Sequence, residues 1–339
     1  MPMNGDLLVQ RPEGLYCPAG DFHVDPWRPV ARAVITHAHA DHARRGHGAY
    51  LAQADGAGVL RARLGDINLQ TLAWGEAVHV GGVRVSLHPA GHVLGSAQVR
   101  LEHCGQVWVA SGDYYASAHA DERNPTCPPF EPQRCHCFIT ESTFGLPIYR
   151  WRRQAEVFAE IDAWWRANAE AGRASLLLGY SFGKAQRLLA GVDASIGPIV
   201  AHGAVESVNE AYRAAGVALP ATQPIDALDK AALSRALVVA PPAVRGSAWA
   251  RRLGDCSDAF ASGWMQLRGA RRRQGVDRGF VLSDHADWPG LQRAIVATGA
   301  ERIIVTHGDE AVMVRWLCEQ GLDAGSFRTE YGAGDDEPA

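Results

Sequence analysis

Short apolar runs followed by polar, chemistry-bearing residues recur along the chain. Ala33-Val34-Ile35 leads directly into Thr36-His37-Ala38-His39-Ala40-Asp41-His42. Residues 83–88 alternate apolar and polar side chains, as half-buried strands do, and a glycine-flanked histidine follows. The apolar segments at 106–110 and 303–305 lead in the same way into an aspartate and a histidine. We therefore predict strands whose ends present polar side chains.

A different pattern fills the middle of the chain. From Tyr149 to Ala169, apolar residues such as Val157 and Ile161 recur near the helical period, which predicts a long helix ended by Gly172. Beyond it, short apolar runs alternate with helical segments. Repeated alternation of this kind predicts a small parallel sheet flanked by helices.

Four ligand-type residues fall within the six positions from His37 to His42. On an extended backbone His37 and His39 point to the same side and can chelate one metal, whereas Asp41 and His42 follow a bend and can reach a second. Imidazole nitrogen and carboxylate oxygen suit zinc. Two ions about 3.5–4 Å apart are the arrangement used for phosphoester hydrolysis. This density of ligands favours a metal site over isolated histidines, although the chain has 14 of them.

The segment His37–His42 resembles the signature of the metallo-β-lactamase fold, and the similarity covers about residues 10–332. The resemblance implies two metal sites that share a bridging carboxylate. The implied ligands are His37, His39 and His92 for the first ion, Asp41, His42 and His307 for the second, and Asp113 between them.

In the metallo-β-lactamase fold, an aspartate early in the chain contacts the metal ligands without binding the metal itself. Asp25, in Val24-Asp25-Pro26, resembles that residue, and Asp21 is the competitor. The alternative for Asp25 is a turn aspartate before proline.

Three further motifs resemble motifs A, B and C of the β-CASP nucleases. They are Glu141-Ser142-Thr143-Phe144-Gly145, Ser283-Asp284-His285 and Thr306-His307-Gly308. The implied fold class is α/β, an αββα metallo-β-lactamase sandwich with an inserted β-CASP domain. Its expected parts are residues 1–148 and 277–339 for the first domain and 149–276 for the insertion. Catalytic roles are implied for Asp41, for His285 as a proton donor, and for Glu141 as the carboxylate that holds it.

Within these nucleases, Gly14-Leu15-Tyr16-Cys17-Pro18 and Phe144-Gly145-Leu146-Pro147-Ile148-Tyr149 resemble the bacterial ligase-associated DNA exonucleases. This implies a metal-dependent DNA exonuclease of DNA repair that acts through a two-metal-activated hydroxide from a 5′ end of single-stranded DNA. Two divalent ions are implied, zinc or alternatively manganese. The implied partners are DNA and, in function, a DNA ligase, a helicase and a metallophosphoesterase.

Three alternatives stay open at this point. The first is an RNA-processing β-CASP ribonuclease, because DNA and RNA both meet the metals through a phosphate. The second is a small-molecule metallohydrolase, against which the inserted region counts. The third is a scaffold that has lost its metals, against which the complete set of ligand positions counts.

Composition adds little about substrate. The 339 residues carry a formal charge of −4, whereas nucleic-acid-binding proteins are usually basic. Binding of nucleic acid would therefore depend on the local charge around the metal ligands. The candidates for phosphate contacts are Lys184 after a glycine turn, Arg44 after the histidine cluster, and Arg271 in a run of arginines. The alternatives are a structural turn for Lys184 and solvated faces for the arginines.

Seven scattered cysteines, an odd number, indicate a reducing cytoplasm. The Cys135-His136-Cys137 triplet is either a soft-metal site or, as we favour, part of the core, with both thiols on one face. The sequence contains no apolar run of about 18 residues, so it predicts no membrane-spanning helix. We expect a cytoplasmic protein with a disordered tail at 332–339.

Overall fold

The structure is a computed structural model that describes residues 5–117, 119 and 121–328, without the side chains of residues 270 and 271. The expected tail at 332–339 lies outside these residues. Contacts divide the chain into two units. The first holds the chain up to Arg150 and from His285 onward, and the second holds Trp151–Asp284. Both are mixtures of helices and strands, so the α/β class is confirmed.

The first unit contains two sheets. The strands of sheet one, each hydrogen-bonded to the next, are Val9–Arg11 (β1), Gly14–Cys17 (β2), Phe22–Val24 (β3), Arg32–Val34 (β4), Ala49–Gln53 (β5) and Leu69–Leu72 (β6). The strands of sheet two are Ala77–Val80 (β7), Val83–Pro89 (β8), Ala97–His103 (β9), Gln106–Ala110 (β10), Cys137–Glu141 (β11), Arg302–Thr306 (β17) and Asp323–Ser326 (β18). Their order across the sheet is β18-β17-β11-β10-β9-β8-β7.

The apolar alternation of the strands builds the core of the first unit. In β8, the inward residues Val83, Val85 and Leu87 are fully buried, and they join one cluster with residues of sheet one such as Val34. This cluster packs the two sheets face to face. The other face of sheet two is covered by helices Trp288–Thr298 (α8) and Glu310–Glu319 (α9). Helix Ala57–Leu64 (α1) connects β5 to β6.

The second unit has a parallel sheet, as the alternating pattern predicted. Its strands are Ala174–Leu178 (β12), Ile199–Ala201 (β13), Leu237–Ala240 (β14), Cys256–Ala261 (β15) and Arg278–Phe280 (β16), in the order β13-β14-β12-β15-β16. Its helices are Gln154–Glu170 (α2), Lys184–Gly191 (α3), Gly203–Ala214 (α4), Lys230–Leu233 (α5), Ala248–Arg251 (α6) and Arg268–Gln274 (α7). Short 3₁₀ turns cover residues 54–56, 225–227, 242–244 and 263–266.

Two predicted boundaries were wrong. The long helix begins at Gln154 rather than near Tyr149, because Tyr149 is buried in the first unit and its carbonyl accepts the backbone N–H of Trp288. The apolar strand before His285 was expected to return to the first domain. It ends at Phe280 and pairs with β15, so it completes the sheet of the second unit.

Candidate metal centre

The loop that follows β4 carries four candidate metal ligands. Its backbone turns where the N–H groups of His42 and Ala43 both donate to the carbonyl of His39. The side chains of His37, His39, Asp41 and His42 are all buried. Burial of four polar side chains is costly unless they have partners, so the partners of these residues define the site.

His37, His39, His92 and Asp113 form the first ligand group. Nδ1 of His39 lies 3.0 Å from Nε2 of His37 and 3.1 Å from Nε2 of His92. Oδ2 of Asp113 lies 3.4 Å from Nε2 of His37 and 3.8 Å from Nε2 of His92. Thus β4, β8 and β10 each deliver ligands through the loop that follows them.

Asp41, His42 and His307 form the second group. Nε2 of His42 lies 3.4 Å from Oδ2 of Asp41 and 3.3 Å from Oδ2 of Asp113, and the rings of His42 and His307 stack with centroids 5.3 Å apart. His307 adopts a left-handed backbone, with φ 57°, directly after β17. Gly308 follows at φ 72°, where a Cβ would lie 2.1 Å from the carbonyl oxygen of Ser142. The tight turn therefore requires glycine there.

The donor atoms fit divalent metal ions. Two atoms each about 2.0–2.1 Å from one zinc ion lie roughly 3.3 Å apart in a tetrahedron, close to the separations within the first group. In the second group, Oδ1 of Asp41 and Nε2 of His42 are buried and have no hydrogen-bond partner among the described residues. Buried polar atoms left unsatisfied by protein are costly, and a bound cation would satisfy both. These groups are therefore suited to hold metal.

Asp25 orients two of the ligands, and Asp21 does not. Oδ2 of Asp25 accepts from Nδ1 of His42 at 2.7 Å and from the hydroxyl of Thr36 at 2.5 Å. The Thr36 oxygen lies 3.0 Å from Nδ1 of His37 and can accept its proton. These contacts engage Nδ1 of both imidazoles, so Nε2 is the nitrogen that would bind a metal once it is deprotonated. Asp21 is exposed and instead pairs with Arg32.

Glu141 and His285 form a pair beside the ligands. Nδ1 of His285 donates to Oε2 of Glu141 at 2.8 Å, while Oε1 accepts the backbone N–H of Tyr114 at 2.7 Å. Ring centroids of His285 and His92 are 4.6 Å apart. With Asp113, the pair forms a third group of potential ligand atoms.

The protonation states follow from burial and neighbouring charge. Burial holds the pKa of His37 well below its usual value, and burial likewise lowers the pKa of His307. Burial opposes charge on His42 too, but Asp113, Asp41 and Asp25 outweigh it and hold its pKa well above normal. Although burial disfavours their charge, His42 keeps the carboxyl pKa values of Asp41 and Asp113 low.

Of the three candidate phosphate contacts, the structure describes the side chains of Lys184 and Arg44. Lys184 is buried, and its ammonium lies 2.8 Å from Oδ2 of Asp284. Nη1 of Arg187 lies 3.0 Å from Oδ1 of Asp284. Lys184 is therefore part of a buried ion-pair network with Asp284 and Arg187. Arg44 is half-buried directly after the ligand loop. The side chain of Arg271, in α7, lies outside the described residues.

Both cysteines of the triplet pack against core clusters, whereas His136 is exposed, and the two thiols do not share one face. Cys137 packs between the two sheets, whereas Cys135 packs on the helix-covered side of sheet two. The reason is that β11 begins only at Cys137, so strand alternation does not extend back to Cys135. Burial raises the thiol pKa to about 12 for Cys137 and about 11 for Cys135, so both stay protonated at neutral pH.

Sequence patterns missed two supports of the ligands. The side-chain amide of Asn124, in the proline-rich loop, donates to the carbonyl of His92 at 2.7 Å. The hydroxyl oxygen of Ser96 accepts the backbone N–H groups of His92 and Val93, both at 3.1 Å. Asn124 is fully buried within a polar loop, and only the fold reveals that position.

Among the described helices, none is long and apolar enough to cross a membrane.

Two kinds of curated relative match the chain. It is 32% identical over 320 residues to a probable DNA ligase of Opitutus terrae, which covers 93% of this chain and 30% of that protein. Over 121 residues, 36% of the chain, it is 30% identical to cleavage and polyadenylation specificity factor subunit 3-I of Arabidopsis thaliana and 26% identical to endoribonuclease YSH1 of Saccharomyces cerevisiae. These shorter matches cover 17% and 15% of the relatives, so the chain spans less than a third of each of these relatives.

A solved structure, that of a protein of unknown function from Enterococcus faecalis, superposes with a TM-score of 0.55 at 12% identity. It covers 81% of this chain and 74% of the other, and this likeness concerns the fold alone. No protein-family model matches the chain. Together with the buried histidine and aspartate clusters, the curated relatives give partial support to a place in the metallo-β-lactamase/β-CASP family.

Proposed function

We propose that the protein is a metal-dependent nuclease that hydrolyses phosphodiester bonds. The observation that carries the proposal is the convergence of two buried ligand groups, joined by the 3.3 Å approach of Asp113 to His42, beside the Glu141–His285 pair. The similarity to proteins named as endoribonucleases supports a nucleic-acid substrate. In this proposal the first unit is an αββα metallo-β-lactamase sandwich, and the second unit is an inserted β-CASP domain.

Each residue has a proposed role at the centre. His37, His39 and His92 would hold one divalent ion, Asp41, His42 and His307 would hold the other, and Asp113 would serve both. When bound, two such ions activate water for attack on phosphorus and neutralise the phosphate charge. Zinc suits these ligands, and manganese is the alternative because carboxylates suit it as well.

His285 supplies a proton to the leaving oxygen in this scheme. Glu141 accepts from Nδ1 of His285, and in this scheme Nε2 is the nitrogen that transfers the proton. A carboxylate next to an imidazole favours the charged, proton-donating form. Since Tyr114 binds the other carboxylate oxygen, the imidazole has one fixed orientation.

We further propose that the substrate is DNA, degraded from a 5′ end of single-stranded DNA during repair. The chain is similar over 93% of its length to a protein named a probable DNA ligase. This similarity supports a DNA substrate and a functional association with a DNA ligase. A helicase and a metallophosphoesterase belong to the same proposed setting, in the cytoplasm that the cysteine content indicates. The competing substrate is RNA, which the shorter matches to endoribonucleases favour.

Cleavage of matched single-stranded DNA and RNA, labelled at either the 5′ or the 3′ end, tests the proposal. The assay uses zinc or manganese and an Asp41→Ala control. Stepwise loss of DNA from its 5′ end is the expected result. Preferential cutting of RNA would move the protein to RNA processing. Metal-loaded protein that cuts neither polymer would refute the nuclease and favour a small-molecule hydrolase.

A further inference from the structure

Two arginines lie next to the loop His37–His42. Arg63 lies near the end of α1, and its Nη1 donates to the carbonyl of Ala38, the residue between His37 and His39. Nη2 of Arg45 in turn donates to the backbone oxygen of Arg63 at 2.9 Å. We call Arg45 and Arg63 the arginine pair. It joins the ligand loop to the exposed surface, because Arg63 is half-buried and Arg45 is exposed.

The positive charge of this pair has no carboxylate in contact. Within the described residues, neither arginine has an aspartate or glutamate oxygen within 4.0 Å. Burial lowers the pKa of Arg63, Asp41 opposes that effect, and Arg45 adds to it. Asp41 is therefore a nearby negative charge that favours the charged form of Arg63, and it is also a proposed metal ligand. A divalent ion held by Asp41 would cancel that balance.

A partly buried cation without a counter-ion in contact is costly, so the presence of Arg63 points to an anion from outside the chain. A phosphodiester backbone is the anion that the proposed reaction brings. Guanidinium groups suit it, because their planar fork donates two parallel hydrogen bonds to phosphate oxygens. Within the described part of the chain, the hydrogen bonds of the pair use one terminal nitrogen of each guanidinium, so further N–H groups remain for such contacts.

We propose that Arg45 and Arg63 bind phosphates of the substrate strand that flank the scissile phosphate. This inference rests on the proposed nuclease function. It adds a positively charged path on the first unit, next to the ligand loop, although the whole chain has a formal charge of −4. Because phosphate contacts carry no sequence information, the path serves any base sequence.

The test is the salt dependence of binding to a labelled single-stranded oligonucleotide, with full-length, metal-loaded protein. Each phosphate contact contributes about 0.7 to the slope of log affinity against log salt concentration for single strands. Arg45→Gln and Arg63→Gln should each reduce the slope by about that amount, and Arg45→Lys should restore it. The glutamine at 63 still offers an amide donor to the Ala38 carbonyl.

The matched control is Arg61→Gln, an identical charge change in α1. Arg61 is exposed and lies two helical positions from Arg63, so its side chain points away by about 200°. The salt slope of oligonucleotide binding by Arg61→Gln should equal that of the unchanged protein. Metal content, measured on every variant, shows whether the ligand loop is intact.

Unchanged slopes for Arg45→Gln and Arg63→Gln would overturn the proposal, and so would an equal reduction for Arg61→Gln. Loss of bound metal in Arg45→Gln would also overturn it, since the residue would then serve the ligand loop. Hydrolysis of bis(4-nitrophenyl) phosphate by the unchanged protein tests the nuclease proposal separately from the phosphate contacts of Arg45 and Arg63. If neither this diester nor the oligonucleotide is cut while the predicted slopes hold, the nuclease proposal fails and the phosphate path stands.

Discussion

Nδ1 of His285 lies 2.8 Å from Oε2 of Glu141, although 144 residues separate the two in the chain. The carboxylate is buried at the end of β11, and its second oxygen is held by the N–H of Tyr114. Such a fixed carboxylate orients the imidazole ring of His285. The pair therefore has the geometry of an oriented proton donor.

Substitution of His285 by alanine should separate metal binding from catalysis. We expect the variant to keep its metal and to lose about 10²–10⁴-fold in cleavage rate, the usual contribution of a positioned acid or base. Metal analysis and single-turnover cleavage check this. His88→Ala, outside the three ligand groups, is the control and should behave as the unchanged protein. An empty site in His285→Ala would make His285 a ligand instead.

Removal of a ligand from the second group should abolish metal and activity together. Asp41→Ala and His307→Ala each delete one donor atom, so we expect less metal per chain and no measurable cleavage. Asp309→Ala, an exposed carboxylate two residues from His307, is the matched control. Full activity in either ligand variant would exclude the two-metal scheme.

Asp25→Ala should weaken metal binding without removing a ligand atom. Residues that orient a metal-binding histidine typically contribute about 10–100-fold to metal affinity. Competition with a chromophoric chelator measures the change. Asp21→Ala should leave the affinity unaltered, because Asp21 contacts Arg32 and Tyr16 rather than a ligand. Equal losses in both variants would contradict the role of Asp25.

Metal uptake should release a proton and should weaken as the pH falls. In the metal-free protein the pKa of His42 is held well above its usual value of 6.5 by Asp113, Asp41 and Asp25, against the effect of burial. His42 therefore carries a proton at neutral pH that a metal must displace, whereas the lowered pKa of His37 leaves that residue neutral. Calorimetry in buffers of different ionisation enthalpy at pH 7 should show about one proton released. Zinc binding without proton release would refute this.

The buried network of the second unit should matter for stability. Asp284→Ala leaves Lys184 and Arg187 buried without their shared carboxylate, which should lower the free energy of unfolding by roughly 3–5 kcal/mol. Lys184→Met should cost less, because Arg187 still pairs with Asp284. Urea unfolding followed by tryptophan fluorescence measures both. If Lys184→Met instead spares stability and reduces the salt slope of oligonucleotide binding, Lys184 is a phosphate contact.

Local features of the chain were readable from sequence. The ligand-rich loop His37–His42 lies within six positions, so its chemistry shows without knowledge of distant contacts. The alternation of residues 83–88 predicted β8, and the repeated strand and helix segments predicted the parallel sheet of the second unit. The positions of His92, Asp113 and His307 came from the resemblance to a family, because each is a lone polar residue after a strand.

Features that depend on distant partners were not readable. The apolar run at 280–282 suits a strand of either sheet, and only the pairing of residues 278–280 with β15 assigns this strand to the second unit. The face of Cys135 depended on where β11 begins. The setting of Lys184 depended on Asp284, which lies 100 positions further along the chain.

The sequence by itself determined the α/β class, the strand-end placement of the polar residues and the presence of a metal-type ligand cluster. These follow from side-chain periodicity and local composition, which are properties of neighbouring residues. The tertiary structure decided which carboxylate supports the ligands, how Glu141 meets His285, and that Arg45 and Arg63 meet at the loop. Those contacts join residues far apart in sequence, or set by the exact path of a turn, so their distances exist only once the strands have packed.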